Sequence, residues 1–152
     1  MNINFKNITV IPANKENELH KKGVLKVFNE NIEYFHLTEK LVSYEEHSKW
    51  WDNAFEDEYI YVILYKTKVC GYIRLTKRKT NSKEKYEISI ALRKKIQKYG
   101  IGSYAYNLFE NEMKKAGIPE IIAITVSKNI LGQKFFEKNK FKKNLNRYKK
   151  IL

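Results

Sequence analysis

Apolar residues recur at helical spacing over residues 16–35, where Leu19, Val24, Leu25, Phe28, Ile32 and Phe35 mark one face. A second amphipathic stretch over 43–55 carries Tyr44, His47, Trp50 and Trp51, so two helices are predicted in the N-terminal third. Ahead of them, the first seven residues alternate polar and apolar side chains. The pattern then changes. Residues 59–65 and 69–75 are rich in β-branched and aromatic side chains, and Lys66-Thr67-Lys68 between them is short enough for a hairpin. The polar stretch 77–85 reads as a loop to the next strand. There Tyr86, Ile88, Ile90 and Leu92 alternate with Glu87, Ser89 and Ala91, which places Glu87 on the more polar face. Beyond Gly100 and Gly102, the stripe Ala105, Leu108, Phe109 and Met113 predicts a helix that Gly117 and Pro119 stop. Residues 121–126 lack alternation and read as a strand covered on both faces; 131–138 is a short helix bearing Phe135-Phe136, and a final strand lies around 141–148. The order β, α, α, β, β, β, α, β, α, β describes a mixed α/β domain with a parallel β-α-β unit over 86–126.

Composition narrows the class. A chain of 152 residues, 43% apolar and 31% charged, fits one domain over 1–152 with its own core. The longest apolar stretches, 59–65 and 121–126, fall far short of the roughly 20 residues of a membrane span. The N-terminus lacks the basic, apolar and small-residue regions of a signal peptide, and a cytoplasmic location is expected. Thirty Lys+Arg against 17 Asp+Glu give a formal charge of +13, which suits nucleic acid, an anionic surface or a phosphorylated small molecule. Arg74, Arg78, Arg93 and Arg147 are the only arginines, so base-edge reading of DNA has weak support and no specific nucleic acid is expected. The single Cys70 and three dispersed histidines offer no metal-ligand spacing, and Cys70 reads as a core thiol.

One loop carries chemistry. Gln97-Lys98-Tyr99-Gly100-Ile101-Gly102 joins the end of a strand to the start of a helix, where unpaired N–H groups and the helix dipole favour an anion. Lys94, Lys95 and Lys98 add positive charge. A P-loop is excluded because Gly-Lys-Ser/Thr is missing, and the three-glycine dinucleotide fingerprint is incomplete. The loop resembles the acetyl-CoA motif Gln/Arg-x-x-Gly-x-Gly/Ala of the GCN5-related N-acetyltransferases, with Gln97, Gly100 and Gly102 in place. Downstream, Asn129, Gly132, Phe135, Phe136, Glu137, Lys138, Lys140 and Phe141 stand at the spacing of that family's Asn-x-x-Ala-x-x-Leu-Tyr-Glu-Lys-x-Gly-Phe. Three positions depart from it: Gly132 for Ala, Lys140 for Gly, and Phe136 for the Tyr that often serves as general acid. A phenyl ring has no proton to give.

The resemblance implies a single GNAT-like α/β domain, with a mixed central sheet of about six to seven strands and about four helices. It implies acetyl-CoA as co-substrate, no metal, and direct transfer to an amine. The backbone around Leu92 would bond the pantetheine and polarise the acetyl carbonyl. The amides from Gln97 through Lys98, Tyr99, Gly100, Ile101 and Gly102 to Ser103 would cradle the pyrophosphate, and Asn129 and Phe136 would flank the pantetheine and thioester. Thiolate departure needs little help, because a thiol pKa of about 8.5 makes it a fair leaving group. Glu87 is the first candidate base, an acid in an otherwise uncharged strand, and His47 the second. Tyr44-Glu45-Glu46-His47-Ser48-Lys49-Trp50-Trp51, followed by Gly71-Tyr72-Ile73-Arg74-Leu75, looks like the branch that acetylates nucleotide-linked amino sugars for bacterial surface glycans. Trp50, Trp51, Tyr44, His47 and Arg74 are accordingly the expected acceptor residues. A protein N-terminal or ribosomal-protein acetyltransferase is the alternative enzyme, and a basic nucleic-acid-binding module the alternative class. A homodimer is compatible with the sequence.

Overall fold

The computed structural model describes residues 2–35, 40–80, 83–144 and 147–152. Its sheet has seven strands among the described residues: β1 (Ile8–Pro12), β2 (Glu58–Tyr65), β3 (Lys68–Thr80), β4 (Lys83–Leu92), β5 (Glu120–Ile124), β6 (Lys142–Asn144) and β7 (Arg147–Ile151). The strand order is β1-β2-β3-β4-β5-β7-β6. All neighbours are antiparallel except β4 and β5. Four α-helices cover the sheet: α1 (Glu18–Glu30), α2 (Tyr44–Ala54), α3 (Ile101–Lys115) and α4 (Ile130–Lys138). This is the mixed α/β domain that the periodicity predicts.

Local chemistry sets the element ends. The Asn17 side chain accepts from His20 N–H at the start of α1, and Ser43 and Glu46 form a reciprocal capping box at the start of α2. Helix α3 ends in a left-handed Gly117, after which Ile118 N–H donates to the Met113 carbonyl at 3.1 Å. Helices α1 and α2 pack Val24, Val27, Trp51 and Ala54 on one sheet face, against Ile60, Val62, Tyr72 and Ala91. On the other face lie α3 and α4, where Ala105, Phe109, Met113 and Phe136 meet Ile73, Leu75, Ile88 and Ile121.

The structure corrects several expected boundaries. The helix expected over 16–35 ends at Glu30 and is followed by a single 3-10 turn, Ile32–Tyr34. Its end is fixed by Asn31, which turns into the protein instead of continuing the helix. The stretch 77–85 is not a loop but the far end of a long β3–β4 hairpin, in register from Gly71↔Leu92 to Thr80↔Lys83; residues 81–82 lie outside the described set. Alternating charges across that ribbon, such as Lys77 with Glu84 at 2.9 Å, sustain strand structure without an apolar face. The strand expected over 121–126 spans Glu120–Ile124, and the final strand over 141–148 is a hairpin, β6 and β7, whose residues 145–146 lie outside the described set.

One charge sits deep between α3 and β7. Glu110 is buried, accepts from Tyr106 Oη at 3.0 Å, and pairs with Lys150 Nζ at 2.5 Å and Lys114 Nζ at 3.6 Å. Burial raises its carboxyl pKa, but the bonds to Lys150 and Tyr106 outweigh this, and the group stays below its ordinary value of 4.5. A lowered folded-state value stabilises the fold above the unfolded value, and that contribution is lost as pH falls through the folded value. Lys150→Met keeps the packing against the Tyr106 and Phe141 rings and leaves Lys114 as the remaining ion-pair partner beside the Tyr106 hydroxyl. Removing one member of a buried pair costs about 3–5 kcal/mol, and about 2–3 here with Lys114 remaining, so Tm falls by roughly 4–12 °C in calorimetry at pH 7. The deficit narrows as pH falls through the lowered folded-state value of Glu110.

Lys140 occupies a left-handed position, φ +68°, where the resembled motif has glycine. Its side chain is exposed, so only the backbone objects. Lys140→Gly relieves that strain and raises stability by about 1 kcal/mol in denaturant titration, with no change in the fold.

Candidate functional site

The parallel strands β4 and β5 share one paired position, Glu87↔Ile122, and beyond it they part. The wedge so opened holds a cavity of about 310 Å³, lined along β4 by Glu87 to Leu92 and, at the end of β5 and just beyond it, by Ile124 and Thr125. Its floor and rim come from the loop before α3 and from α4, through Lys98, Gly100, Gly102, Ser103, Asn129 and Phe135. Because a parallel pair needs a crossover, α3 returns over this end of the sheet and presents its N-terminus to the wedge.

That N-terminus is open. Two residues in three, Lys98 at φ +70° and Gly100 at φ +83°, are left-handed and curl the chain into the helix. Gly100 caps α3 with no side-chain bond, and the first intrahelical bond is Tyr104 N–H to the Gly100 carbonyl. The N–H groups of Ile101, Gly102 and Ser103 therefore have no intrahelical acceptor. A Cβ on Gly102 would stand 3.2 Å from the Phe135 ring, so only glycine leaves this space empty. Open amides, a helix dipole, the Lys98 ammonium and a cleared backbone together fit a phosphate-bearing group.

Most expected cofactor residues gather here. Glu87, Leu92, Gln97, Lys98, Gly100, Gly102, Ser103, Asn129 and Phe136 all line the cavity. Two do not: Ile101 is fully buried in the core, and the half-exposed Tyr99 is not part of the lining. The Leu92 carbonyl accepts from Gln97 Nε2 at 3.0 Å and Asn31 Nδ2 at 2.9 Å, so both its lone pairs are taken and it is not free for a ligand. The Asn129 side chain accepts from Gly132 N–H at 2.9 Å and caps α4. A Cβ on Gly132 would meet the Asn129 amide nitrogen at 2.5 Å, which accounts for glycine where the resembled motif has alanine. Phe136 is packed among Phe135, Phe141 and Tyr148 at ring distances of 5.1–5.8 Å.

Glu87 stands where the wedge closes. Its carboxylate accepts from Arg78 Nε at 3.2 Å, with a second guanidinium nitrogen at 3.1 Å, and Thr76 is its cross-strand neighbour. His47 is elsewhere: buried on α2, its Nε2 lies 2.8 Å from the Lys21 carbonyl, and burial lowers its pKa. It packs the helix and does not reach the cavity.

The acceptor residues divide. Trp51 is fully buried and donates from Nε1 to the Lys15 carbonyl at 2.8 Å, and Tyr44 is bonded to Glu18 at the outer end of α2. Neither these nor His47 line the cavity, because the face of α2 that carries them packs on α1 and the chain before it. Arg74 and Trp50 do not line the cavity either, but Arg74 adjoins it. Arg74 is the cross-strand partner of Ser89, which lines the cavity, and its guanidinium sits 4.9 Å from the Trp50 ring centre. Arg74 is also held by Glu58 at 2.8 Å, whose carboxylate accepts from Thr76 as well.

Sequence reasoning missed the opposite wall. Tyr34 and Phe35, from the turn after α1, and Leu131, Thr125 and Lys138 line the cavity too. Asn31 was the available signal, a polar residue inside an otherwise helical apolar stripe. Cys70 is buried, and burial pushes its thiol up to about 11, so it is no nucleophile at neutral pH. Among the described residues no group of His, Cys, Asp and Glu is arranged to hold a metal, and no helix is long and apolar enough to cross a membrane.

A sequence model of the acetyltransferase (GNAT) family matches residues 24–141. The chain belongs to this family. The match spans the wedge, the glycine loop and both flanking helices, so the acetyltransferase assignment and the site geometry coincide. Solved structures share its fold. A domain from Methanocaldococcus jannaschii DSM 2661 is 22% identical, with a TM-score of 0.78 over 95% of this chain and 98% of that one. The ribosomal-protein-alanine N-acetyltransferase of Brucella melitensis is 18% identical at TM-score 0.78, covering 95% and 99%. A putative acetyltransferase from Salmonella typhimurium, solved with its cofactor acetyl-CoA, is 14% identical at TM-score 0.77, covering 96% and 94%. No curated protein matches the sequence significantly.

Proposed function

We propose that this acetyltransferase moves the acetyl group of acetyl-CoA to the primary amine of an amino sugar carried on a nucleotide. The observation that carries the first half is the wedge itself, which ends at the open N-terminus of α3. Acetyl-CoA supplies an acetyl thioester at one end and a pyrophosphate at the other. The amides of Gly102 and Ser103 and the Lys98 ammonium hold the pyrophosphate, as backbone N–H groups at a helix N-terminus do. The main chain of Ser89 to Ala91, beyond the last pairing with β5, bonds the pantetheine arm. Phe135 and Phe136 exclude water from the thioester end. Glu87, at the closed end of the wedge, receives the acceptor amine and removes its proton, while Arg78 fixes the carboxylate's direction. With Phe136 unable to donate a proton, water returns one to the departing thiolate.

The acceptor half rests on Arg74 and its neighbours. Cross-strand partners share a sheet face, so Arg74, Thr76 and Arg78 lie beside Ser89, Glu87 and Lys85 in one polar strip that leads out of the cavity. The Trp50 ring beside Arg74 offers a flat surface for a base or sugar, and Arg74, Arg78 and Lys85 offer cations for a diphosphate. Tyr44, His47 and Trp51 have no part in it. Both substrates are cytoplasmic metabolites, in keeping with a cytoplasmic enzyme.

The test is mass spectrometry of reactions containing acetyl-CoA and a UDP-linked 4-amino-6-deoxy sugar, an N-terminal peptide or a polyamine. The nucleotide sugar is expected to be acetylated fastest; a peptide preferred tenfold or more would overturn the acceptor and leave the cofactor reading in place. Glu87→Gln is expected to lower kcat at pH 7 by about 10²–10⁴-fold, with acetyl-CoA affinity nearly unchanged. Unaltered kcat would remove Glu87 as the base.

A further inference from the structure

The carboxamides of Asn31 and Gln97 meet although 66 residues separate them in sequence. Asn31 Nδ2 donates to the Val27 carbonyl on α1 and to the Leu92 carbonyl on β4, both at 2.9 Å. Gln97 Nε2 donates to Asn31 Oδ1 and to the same Leu92 carbonyl, both at 3.0 Å. Each amide hydrogen has one acceptor and each lone pair of the Leu92 oxygen one donor, so every N–H of the pair is satisfied. Asn31 is only 4% exposed, where an unpaired amide would be costly.

Two acids beside Asn31 extend the grip. The Glu30 carboxylate accepts from Lys94 N–H at 2.9 Å and pairs with Arg93, and Glu33 holds Lys94 Nζ at 2.6 Å. The end of α1 thus holds the chain from Leu92 to Gln97, which leads into the glycine loop. From the loop itself Lys98, Gly100, Gly102 and Ser103 face the cavity. Immediately after Asn31, Tyr34 and Phe35 form the cavity wall opposite β4, with Phe35 stacked on Phe28 of α1 at 4.6 Å. The far end of the same connection is also tied to α1, through the paired bonds of Asn29 with Val42 at 2.9 Å.

We propose that Asn31 and Gln97 are a coupled pair of positioning residues: they join the loop that receives acetyl-CoA to the Tyr34–Phe35 wall, so that filling the loop sets the wall. The proposal rests on the acetyl-CoA reading above. Gln97, expected from sequence to touch the cofactor, lines the cavity together with Asn31, but both its amide hydrogens go to Asn31 and the Leu92 carbonyl, and it acts through them. Neither side chain is required for the chemistry, and both are required for the loop and wall to move as one body.

The test uses the full chain as native protein, Gln97→Met, Asn31→Leu and the double variant. Gln97→Met keeps length and packing at a partly exposed site, and so folds even if Asn31→Leu does not. Acetyl-CoA affinity is measured by calorimetry, and amide hydrogen exchange is followed by mass spectrometry with and without acetyl-CoA. In the native protein, acetyl-CoA is expected to slow exchange both in the loop and at residues 31–35. In Gln97→Met, Kd is expected to rise about five- to tenfold, and at saturating acetyl-CoA the loop stays protected while the slowing at 31–35 is lost. The double variant should be no weaker than the weaker single one, since both changes break one coupled unit. Variants with a lowered Tm but native Kd and native protection at 31–35 would overturn the coupling and show a purely structural pair. Failure of the native protein to bind acetyl-CoA would overturn the cofactor reading, and this inference with it.

Discussion

One broken pairing organises the molecule. β4 and β5 run parallel and are joined at a single position, Glu87 opposite Ile122, so the sheet splits on the side where a crossover helix must return. A split sheet leaves main-chain donors and acceptors without partners, a cost that a folded protein bears only where something else satisfies them. Here the split is lined by apolar and polar side chains together and closed at its mouth by a helix start that carries no side-chain cap. The two sets of unfilled bonds, one in the strand and one in the helix, face one cavity. A long ligand with a polar arm and an anionic end answers both.

The surroundings keep the wedge open. On one side, Phe135, Phe136, Phe141 and Tyr148 form an aromatic block that fixes α4 against β7, and Asn139 ties the end of α4 to the Ser103 hydroxyl at 3.1 Å. On the other, α1 grips Leu92 to Gln97 through Glu30, Asn31 and Glu33. Gly71, opposite Leu92, lets β3 come close to the end of β4: a Cβ there would lie 2.7 Å from the Ala91 carbonyl oxygen. The binding loop is therefore held from both flanks, partly by groups behind it such as Glu30, Glu33 and Asn139 and partly by groups that also line the cavity, such as Asn31, Gln97 and Phe135.

Periodicity made the architecture legible. Helical spacing located α1 to α4, and the continuous apolar residues at 121–126 marked β5. The burial of β5 alternates, however: Ile121 and Ala123 are buried and Ile124 is exposed, so the strand is not covered on both faces. The glycine loop and the Asn129 to Phe141 motif pointed to the family and to most of the cavity lining. What the sequence hid depends on contacts between distant segments. Trp50 and Trp51 are neighbours in sequence, but one stacks beside Arg74 and the other is sealed in the core, and spacing alone assigns both to one helix. The polar stretch 77–85 looked like a loop because its strand structure comes from cross-strand charge pairs, which no single-strand pattern reveals. Gln97 matched its motif, yet its amide serves Leu92 and Asn31, a partner that only the tertiary fold supplies.

The most direct measurement is a calorimetric titration of the native chain and of Gly100→Glu with acetyl-CoA. Gly100 lies at the mouth of the wedge with φ +83°, so glutamate there adds both backbone strain and a negative charge beside the open amides of α3. Saturable one-to-one binding by the native protein, weakened at least tenfold in a folded Gly100→Glu variant, is the predicted result. Equal affinity in the two proteins, or no binding by the native chain, would contradict the assignment of the wedge to acetyl-CoA.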